Sequence, residues 1–405
     1  MSNIILLSIS GVDRIGLSAD FYAVVGQLDV RILDIGQSVI HDQVSLGMML
    51  QLPLDQDLDQ LTDLIIERAQ DLNLQVKVAN IDAQQYALWV KQQGADRYIL
   101  TLLTREVAAE EIARVTKVTA EQGLNIHDIV RLSGRVPLDK PISNVIKSCI
   151  QFSLQGQPKD PAVMRSSFLK IASELDVDIA IQKDDAYRRN RRLVCFDMDS
   201  TLIEAEVIDE LAKHAGVGDQ VAAITERAML GELDFTESFT QRMALLEGLS
   251  EQVLVSVANS LPIMEGAECL IRNLKAYGFK TAILSGGFSY FGKFLQKKMG
   301  IDYVYANTLE IVDGKLTGRV VHPVVDGQRK ALLLAQIAKK EGISTQQTIA
   351  VGDGANDLPM LSAAGLGIAF RAKPLVRESA KQSMSTHGLD SILYLLGYRD
   401  NDIIR

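Results

Sequence analysis

The sequence predicts an α/β protein in which two small ferredoxin-like units precede a larger domain built on an open, parallel, Rossmann-like sheet. Three observations predict it. The order strand, helix, strand, strand, helix, strand occurs twice within the first 183 residues. Further along, three short apolar runs each stop abruptly at polar or acidic residues, as buried strands do at a sheet edge. A helical stretch separates the first two of those runs.

In the first unit, residues 4–9 read as a strand, 17–28 as a helix, 30–40 and 46–52 as strands, 58–71 as a helix and 74–81 as a strand. The same order returns over 98–104, 108–122, 124–132, 146–154, 162–174 and 177–181. Each unit is βαββαβ, the pattern of a ferredoxin-like sandwich. Residues 183–192 are rich in charge and read as a linker, not a nucleic-acid patch. The expected domains are therefore 1–84, 85–183 and 184–405.

Composition narrows the function. A chain of 405 residues with 47% hydrophobic and 23% charged residues has ample material for packed cores. A net charge of −9 without a basic stripe disfavours nucleic acid and anionic membranes as partners. Residues 4–7 are too short for a signal-peptide core, and no apolar run reaches about 18 residues, so the expected location is the cytoplasm. Cys149, Cys195 and Cys269 read as reduced core thiols. His41, His127, His214, His322 and His387 lack ligand spacing, which argues against a zinc site.

The chemistry is expected where the apolar runs end. Val194-Cys195-Phe196 stops at Asp197-Met198-Asp199-Ser200-Thr201, so Asp197 would face the crevice as a nucleophile or a metal ligand with Asp199 beside it. Thr281-Ala282-Ile283-Leu284 stops at Ser285-Gly286-Gly287, where a hydroxyl and glycine amides can approach phosphate oxygens at the start of the next helix. Lys330 opens an amphipathic segment. Thr348-Ile349-Ala350-Val351 leads to Gly352-Asp353-Gly354-Ala355-Asn356-Asp357. Phosphate and several carboxylates would repel one another, so the set calls for a hard cation and a lysine.

These four motifs, in this order, resemble the haloacid dehalogenase superfamily of aspartate-nucleophile phosphatases. The insertion at about 206–262 resembles the small helical cap of the phosphoserine phosphatase family. That resemblance implies catalysis by Asp197 and Asp199, and Mg²⁺ held by Asp197, Asp199 through its carbonyl, and Asp353, with Asp357 behind them. It implies phosphate contacts from Ser285, Gly286, Gly287, Lys330 and Asn356, and substrate recognition by Glu206, Met229, Phe235 and Arg242. L-phosphoserine has an ammonium and a carboxylate besides its phosphate, which suits one acid, Glu206, and one base, Arg242, walled by Met229 and Phe235. The implied reaction is hydrolysis of L-phosphoserine to L-serine, the last step of serine biosynthesis. The alternative is a related phosphatase or phosphotransferase acting on another small phosphomonoester.

Gly11-Val12-Asp13-Arg14-Ile15-Gly16 in the first unit resembles the effector loop of ACT domains, which sense amino acids. It implies an L-serine site at Gly11, Asp13 and Gly16, and a homodimer or larger homo-oligomer formed through the ACT-like units. The second unit has Thr104-Arg105-Glu106-Val107 at the corresponding place and lacks those glycines.

Overall fold

The structure is a computed structural model that describes residues 3–27, 29–53, 58–135, 147–229 and 232–405; of Asn3 and Met229 it describes the backbone alone. The chain divides into two compact units, Met1–Ala95 and Asp96–Arg405. Among the described residues no helix is long and apolar enough to cross a membrane.

The first unit runs β1 (Asn3–Val12), α1 (Leu17–Val25), β2 (Arg31–Ile40), β3 (Gln43–Leu52), α2 (Leu58–Asp71), β4 (Gln75–Ile81) and α3 (Ala83–Gln92). Its antiparallel sheet has the order β2-β3-β1-β4. Alternate residues of β3, from Val44 to Leu52, are buried against Phe21, Leu61 and Ile65 of the helices, as the two-residue period of a strand requires. The sequence reading did not anticipate α3. Asp82 and Gln85 close a capping box at its start, but Leu88 and Val90 are exposed, so the helix has no apolar stripe to betray it.

The second unit opens with β5 (Arg97–Thr104), α4 (Ala109–Glu121), β6 (Asn125–Arg131), β7 (Ser148–Gln155), α5 (Pro161–Leu175) and β8 (Asp178–Lys183), whose antiparallel sheet has the order β6-β7-β5-β8. Residues 183–192 differ from the expected linker. They contain a short helix, α6 (Ala186–Arg189), capped by Asp185, and they bury Arg188 and Arg191. Charge in that stretch marks a packed seam, because two of its cations face inward.

Across the seam lies the parallel-sheet core: β9 (Leu193–Phe196), α7 (Val207–Ala215), α8 (Gly218–Met229), α9 (Phe235–Ala244), α10 (Glu251–Ser260), α11 (Ala267–Ala276), β10 (Lys280–Phe288), α12 (Ser289–Met299) and β11 (Tyr303–Asn307). The hairpin β12 (Leu309–Val312) and β13 (Lys315–Val320) follows, then α13 (Gly327–Lys340), β14 (Thr348–Gly352), α14 (Leu358–Ala363), β15 (Leu366–Phe370), α15 (Pro374–Ser379), β16 (Gln382–Met384) and α16 (Ile392–Leu395). Six strands pair in parallel in the order β11-β10-β9-β14-β15-β16. From β9 the chain builds outward to β11, then returns to β14 on the other side of β9. That reversal opens a crevice at the carboxyl ends of β9 and β14, where ligands of open α/β sheets bind. Helices α7 to α10 form the insertion between β9 and β10.

The two parts of this unit are joined by specific contacts. Asp178 at the start of β8 accepts from the amides of Ser385 and Thr386 and lies 3.0 Å from the His387 ring, and both side chains are 4% exposed. The Ile181 amide donates to Gln382 Oε1 at 2.9 Å, and Lys147 pairs with Asp390.

Candidate active site

Asp197 follows the last residue of β9, and its amide donates to the Val351 carbonyl at 2.9 Å, pinning it beside β14. Lys330 Nζ lies 2.9 Å from Asp197 Oδ2 and 2.7 Å from Asp357 Oδ1. Lysine and both carboxylates are at least nine-tenths buried. The first turn of α13 positions this lysine, with Asp326 capping the helix through the Arg329 amide at 2.7 Å. Burial alone would depress the ammonium's affinity for its proton. The charges of Asp197 and Asp357, and the bonds they accept, overcome this and push its pKa up.

Carboxylate oxygens of Asp197, Asp353 and Asp357 lie within 4.8 Å of one another. Asp353 is pushed up to about 8, first by burial and then by the charges of Asp197 and Asp357, although it accepts from Thr201 Oγ1 at 3.1 Å. Asp357 is pushed up to about 6, by burial and by Asp197, against the pull of Lys330. Its Oδ1 takes Lys330 and its Oδ2 takes the Gly354 amide at 2.9 Å. One ammonium therefore serves several crowded carboxylates, and a divalent cation fits the remaining negative charge.

Asp199 lies against Gly287 at the end of β10. The Val207 amide, at the start of α7, donates to its Oδ1 at 3.2 Å. Burial, then the charges of Glu206 and Asp197, hold its carboxyl well above the usual carboxylate range. Ser200 beside it has φ 54, so the backbone turns sharply between the two aspartates and the insertion.

The sequence reading set Ser285, Gly286 and Gly287 at the start of the next helix, and the structure places them just before it. They continue β10, whose pairing with β11 breaks register after Leu284, and α12 starts only at Ser289. The splayed strand end keeps the role of bringing backbone close to the crevice. A Cβ on Gly287 would sit 2.4 Å from Asp199 Oδ2, and one on Gly286 would sit 2.7 Å from Phe235 Cζ. Ser285 Oγ is buried and accepts from the Gly287 amide at 2.9 Å.

The insertion presents its side chains to the same crevice. Phe235 begins α9, stacks on Phe239 with ring centroids 6.0 Å apart, and covers Gly286. Arg242, in the last turn of α9, is half-buried. Burial pulls its pKa down, while the charges of Glu206, Asp209 and Asp199 support it. Glu206 accepts from Ser200 Oγ at 2.8 Å. Packing raises its pKa, against the Ser200 bond, and its access to solvent tempers that push. Met229 ends α8, and its side chain lies outside the described residues. Asn356 stands in a single 3-10 turn, half-buried, with its Oδ1 folded over Gly354.

Sequence reasoning missed Asn307. Its amide donates to the Gly286 carbonyl at 2.7 Å and its Oδ1 accepts from the Val325 amide at 2.8 Å, so it ties the splayed end of β10 to the approach to α13. The signal was available, since Asn307 is one more polar residue ending a strand on the catalytic edge. Lys373, whose charge acts on Glu206 from the start of α15, carried no such signal.

The glycine motif of the first unit divides in two. Gly16, at φ 88, is the residue before α1, and the turn needs that conformation. Gly11 lies inside β1 paired with Val44, and a Cβ there would meet Leu74 Cδ2 at 2.6 Å. Asp13 is exposed. In the second unit, buried Glu111 reaches back to the start of α4, accepting from Thr104 Oγ1 at 2.9 Å and the Ala108 amide at 3.0 Å. A carboxylate of the chain itself already occupies that helix start.

The parallel sheet with its insertion and the lysine-bridged aspartates define a hydrolase of the haloacid dehalogenase-like type. Residues 191–365 match the haloacid dehalogenase-like hydrolase family, and residues 3–79 match the ACT domain. The chain is 38% identical to a phosphoserine phosphatase of Streptomyces coelicolor over 98% of its own length and 93% of the relative's. It is 39% identical to one of Mycobacterium tuberculosis, over 98% and 94%. A crystal structure of a probable phosphoserine phosphatase from Vibrio cholerae superposes with a TM-score of 0.59 at 36% identity, covering 76% of this chain and 87% of that one. The chain belongs to the phosphoserine phosphatase family.

Proposed function

We propose that the chain hydrolyses L-phosphoserine to L-serine and phosphate, with Asp197 as the nucleophile. The observation that carries this reading is the contact of Lys330 with both Asp197 and Asp357 at the carboxyl edge of the sheet. Lys330 orients Asp197, leaving its other oxygen, steadied by the Met198 amide at 2.7 Å, to attack phosphorus in line. Asp199 keeps its proton because burial and neighbouring charge disfavour the carboxylate. It protonates the departing serine oxygen, then takes a proton from the water that opens the aspartyl-phosphate. Ser285, the amides of Gly286 and Gly287, and Lys330 surround the phosphoryl oxygens. Asn356 assists their placement.

The carboxylates of Asp197 and Asp353 and the carbonyl of Asp199 would hold Mg²⁺, with Asp357 positioning Lys330 behind them. Bound there, the ion would supply charge neutralisation and alignment of the phosphate with the nucleophile. Arg242 reads the substrate carboxylate and Glu206 its ammonium, beneath a wall of Phe235 and Met229. The same reading makes residues 1–84 and 85–183 ACT-like modules and 184–405 the phosphatase domain, in the cytoplasm. L-serine is the effector at the turn containing Asp13 and Gly16. The N-terminal sheets carry self-association, supported by the edge strand β2, along which Ile32, Ile35, Val39 and Ile40 are exposed.

The test is phosphate release from L-phosphoserine with and without chelator, in wild type and in Asp197→Asn. Release should require divalent metal and fall at least about 10³-fold in the variant. Near-normal turnover of Asp197→Asn would overturn the covalent mechanism. Transfer of phosphate to an added alcohol in preference to water would assign a phosphotransferase instead.

A further inference from the structure

Away from the catalytic crevice, the seam between the second antiparallel sheet and the parallel core buries two arginines. Arg188 and Arg191 are 9% and 6% exposed. Each spends one Nη2 donor on a glutamine of the sheet, Arg188 on Gln151 at 3.4 Å and Arg191 on Gln182 at 3.2 Å. Gln182 in turn donates to the Leu395 carbonyl of α16 at 2.9 Å, so this sheet face looks into the core.

Cross-strand register sets Gln151, Thr101 and Ala180 in a row, and Gln182, two residues beyond Ala180, shares their face. On that face the fully buried Thr101 hydroxyl has no partner. Neither have Arg188 Nε, Arg191 Nε and Arg191 Nη1.

Charge is as poorly matched as the hydrogen bonds. Asp184 Oδ1, buried and itself without a hydrogen-bond partner, lies 3.8 Å from Arg188 Nη1, and its other oxygen is engaged at 2.9 Å by the exposed Arg189. Among the described residues no carboxylate comes within ion-pair distance of Arg191. Burial, and then the charge of Arg188, pull the Arg191 pKa down to about 10, against the weaker support of the Asp185 charge. A buried guanidinium is tolerated when it is both hydrogen-bonded and neutralised. Water would satisfy the first requirement only. A small anion satisfies both, and guanidinium N–H groups bind anions strongly in such surroundings.

We propose that this seam is a binding site for a small inorganic anion, chloride or orthophosphate in kind, held by Arg188, Arg191 and Thr101, which fastens the second antiparallel sheet to the catalytic core. The site lies outside the reaction and is independent of the substrate assigned to the crevice.

The full chain is melted by calorimetry in gluconate buffer at constant ionic strength, with chloride, bromide or phosphate replacing gluconate. The transition of interest is the one that coincides with loss of activity. With chloride or bromide it should rise and keep rising by about 2 °C per tenfold of the bound anion above its dissociation constant; phosphate, as product, also binds the crevice, so in that salt the slope that reports the seam is the part Arg191→Met removes. Arg191→Met should abolish that slope while leaving turnover unchanged. An equal melting temperature in all four salts, or an undiminished slope in Arg191→Met, overturns the proposal. Should the variant fail to fold, wild-type crystals soaked in bromide decide: an anomalous peak beside Arg191 Nη1 supports the site, and its absence in crystals whose halide reaches other surfaces overturns it.

Discussion

Gly287→Ala is a demanding test of the catalytic geometry, because it adds one methyl group and removes nothing. The new Cβ would stand 2.4 Å from Asp199 Oδ2 and 2.8 Å from Met198 Cε. Ordinary contact lies at 3.4 Å, so the carboxyl must retreat by about 1 Å, and a misplacement of about 1 Å at a reacting group costs about 10²-fold in rate. That corresponds to about 2.7 kcal/mol of barrier. The loss should fall on kcat for L-phosphoserine, with KM little changed, since the new Cβ meets neither Arg242 nor Lys330 and Ser285 Oγ, at 3.2 Å, need give only a few tenths of an ångström. An aryl phosphate adds a control, because its leaving group departs without a proton. Its phenolate burst should be nearly as fast as in wild type, and only the later hydrolysis, which needs Asp199 as base, should slow. Turnover of L-phosphoserine within about threefold of wild type would refute the role of Asp199. An equal loss in the phenolate burst would instead show that the methyl group disturbs phosphate binding.

Three more outcomes are expected. Lys330→Met leaves the buried carboxylates of Asp197 and Asp357 without their cation and should lower stability by about 3–5 kcal/mol in chelator, less with Mg²⁺, as read by denaturant unfolding. Stability in chelator should fall as pH rises from 5 to 8. Asp353, at about 8, and Asp357, at about 6, hold protons in the folded state that the unfolded chain has already released above pH 4. Their stabilisation is complete below about 4 and is lost as pH passes 6 and then 8, and a flat melting profile over that range would contradict it. Arg242→Ala should lose about 2–5 kcal/mol of transition-state binding for phosphoserine and much less for phosphoethanolamine, which has no carboxylate; equal losses would make Arg242 a support of the insertion.

Much of the catalytic edge was legible because its aspartates follow buried strands, and the step from Val, Cys and Phe to Asp197, or from Val351 to Asp353, is abrupt. The paired βαββαβ order was equally plain, since β3 alternates over its whole length. What escaped was decided by contacts distant in sequence. The motif set singled out Lys330 but not its burial, since its local pattern is that of a solvated lysine at a helix start and only Asp197 and Asp357 make it a buried one. Gly11 belongs to a motif that suggests a ligand, yet Leu74 is what excludes its side chain. The hairpin Leu309–Val320 is short and half-exposed, with too little apolar alternation to stand out.

The occupied helix start of the second ferredoxin-like unit bears on how such a chain diversifies. With Glu111 folded back onto the Ala108 amide at the entry to α4, that copy is freed from selection for a soluble metabolite and can drift toward joinery, in keeping with the contacts of Asp178 and Gln182 with the core. The other copy stays separable, with its border at Ala95 and Asp96. Recombination that exchanges sensors between enzymes would cut there, carrying one ferredoxin-like unit and leaving its twin behind. Chimaeras joined at 95/96 should accordingly express as active phosphatase, whereas those joined at 183/184 should lose the packing of Leu103, Leu132, Cys149 and Ala180 against the catalytic core and aggregate.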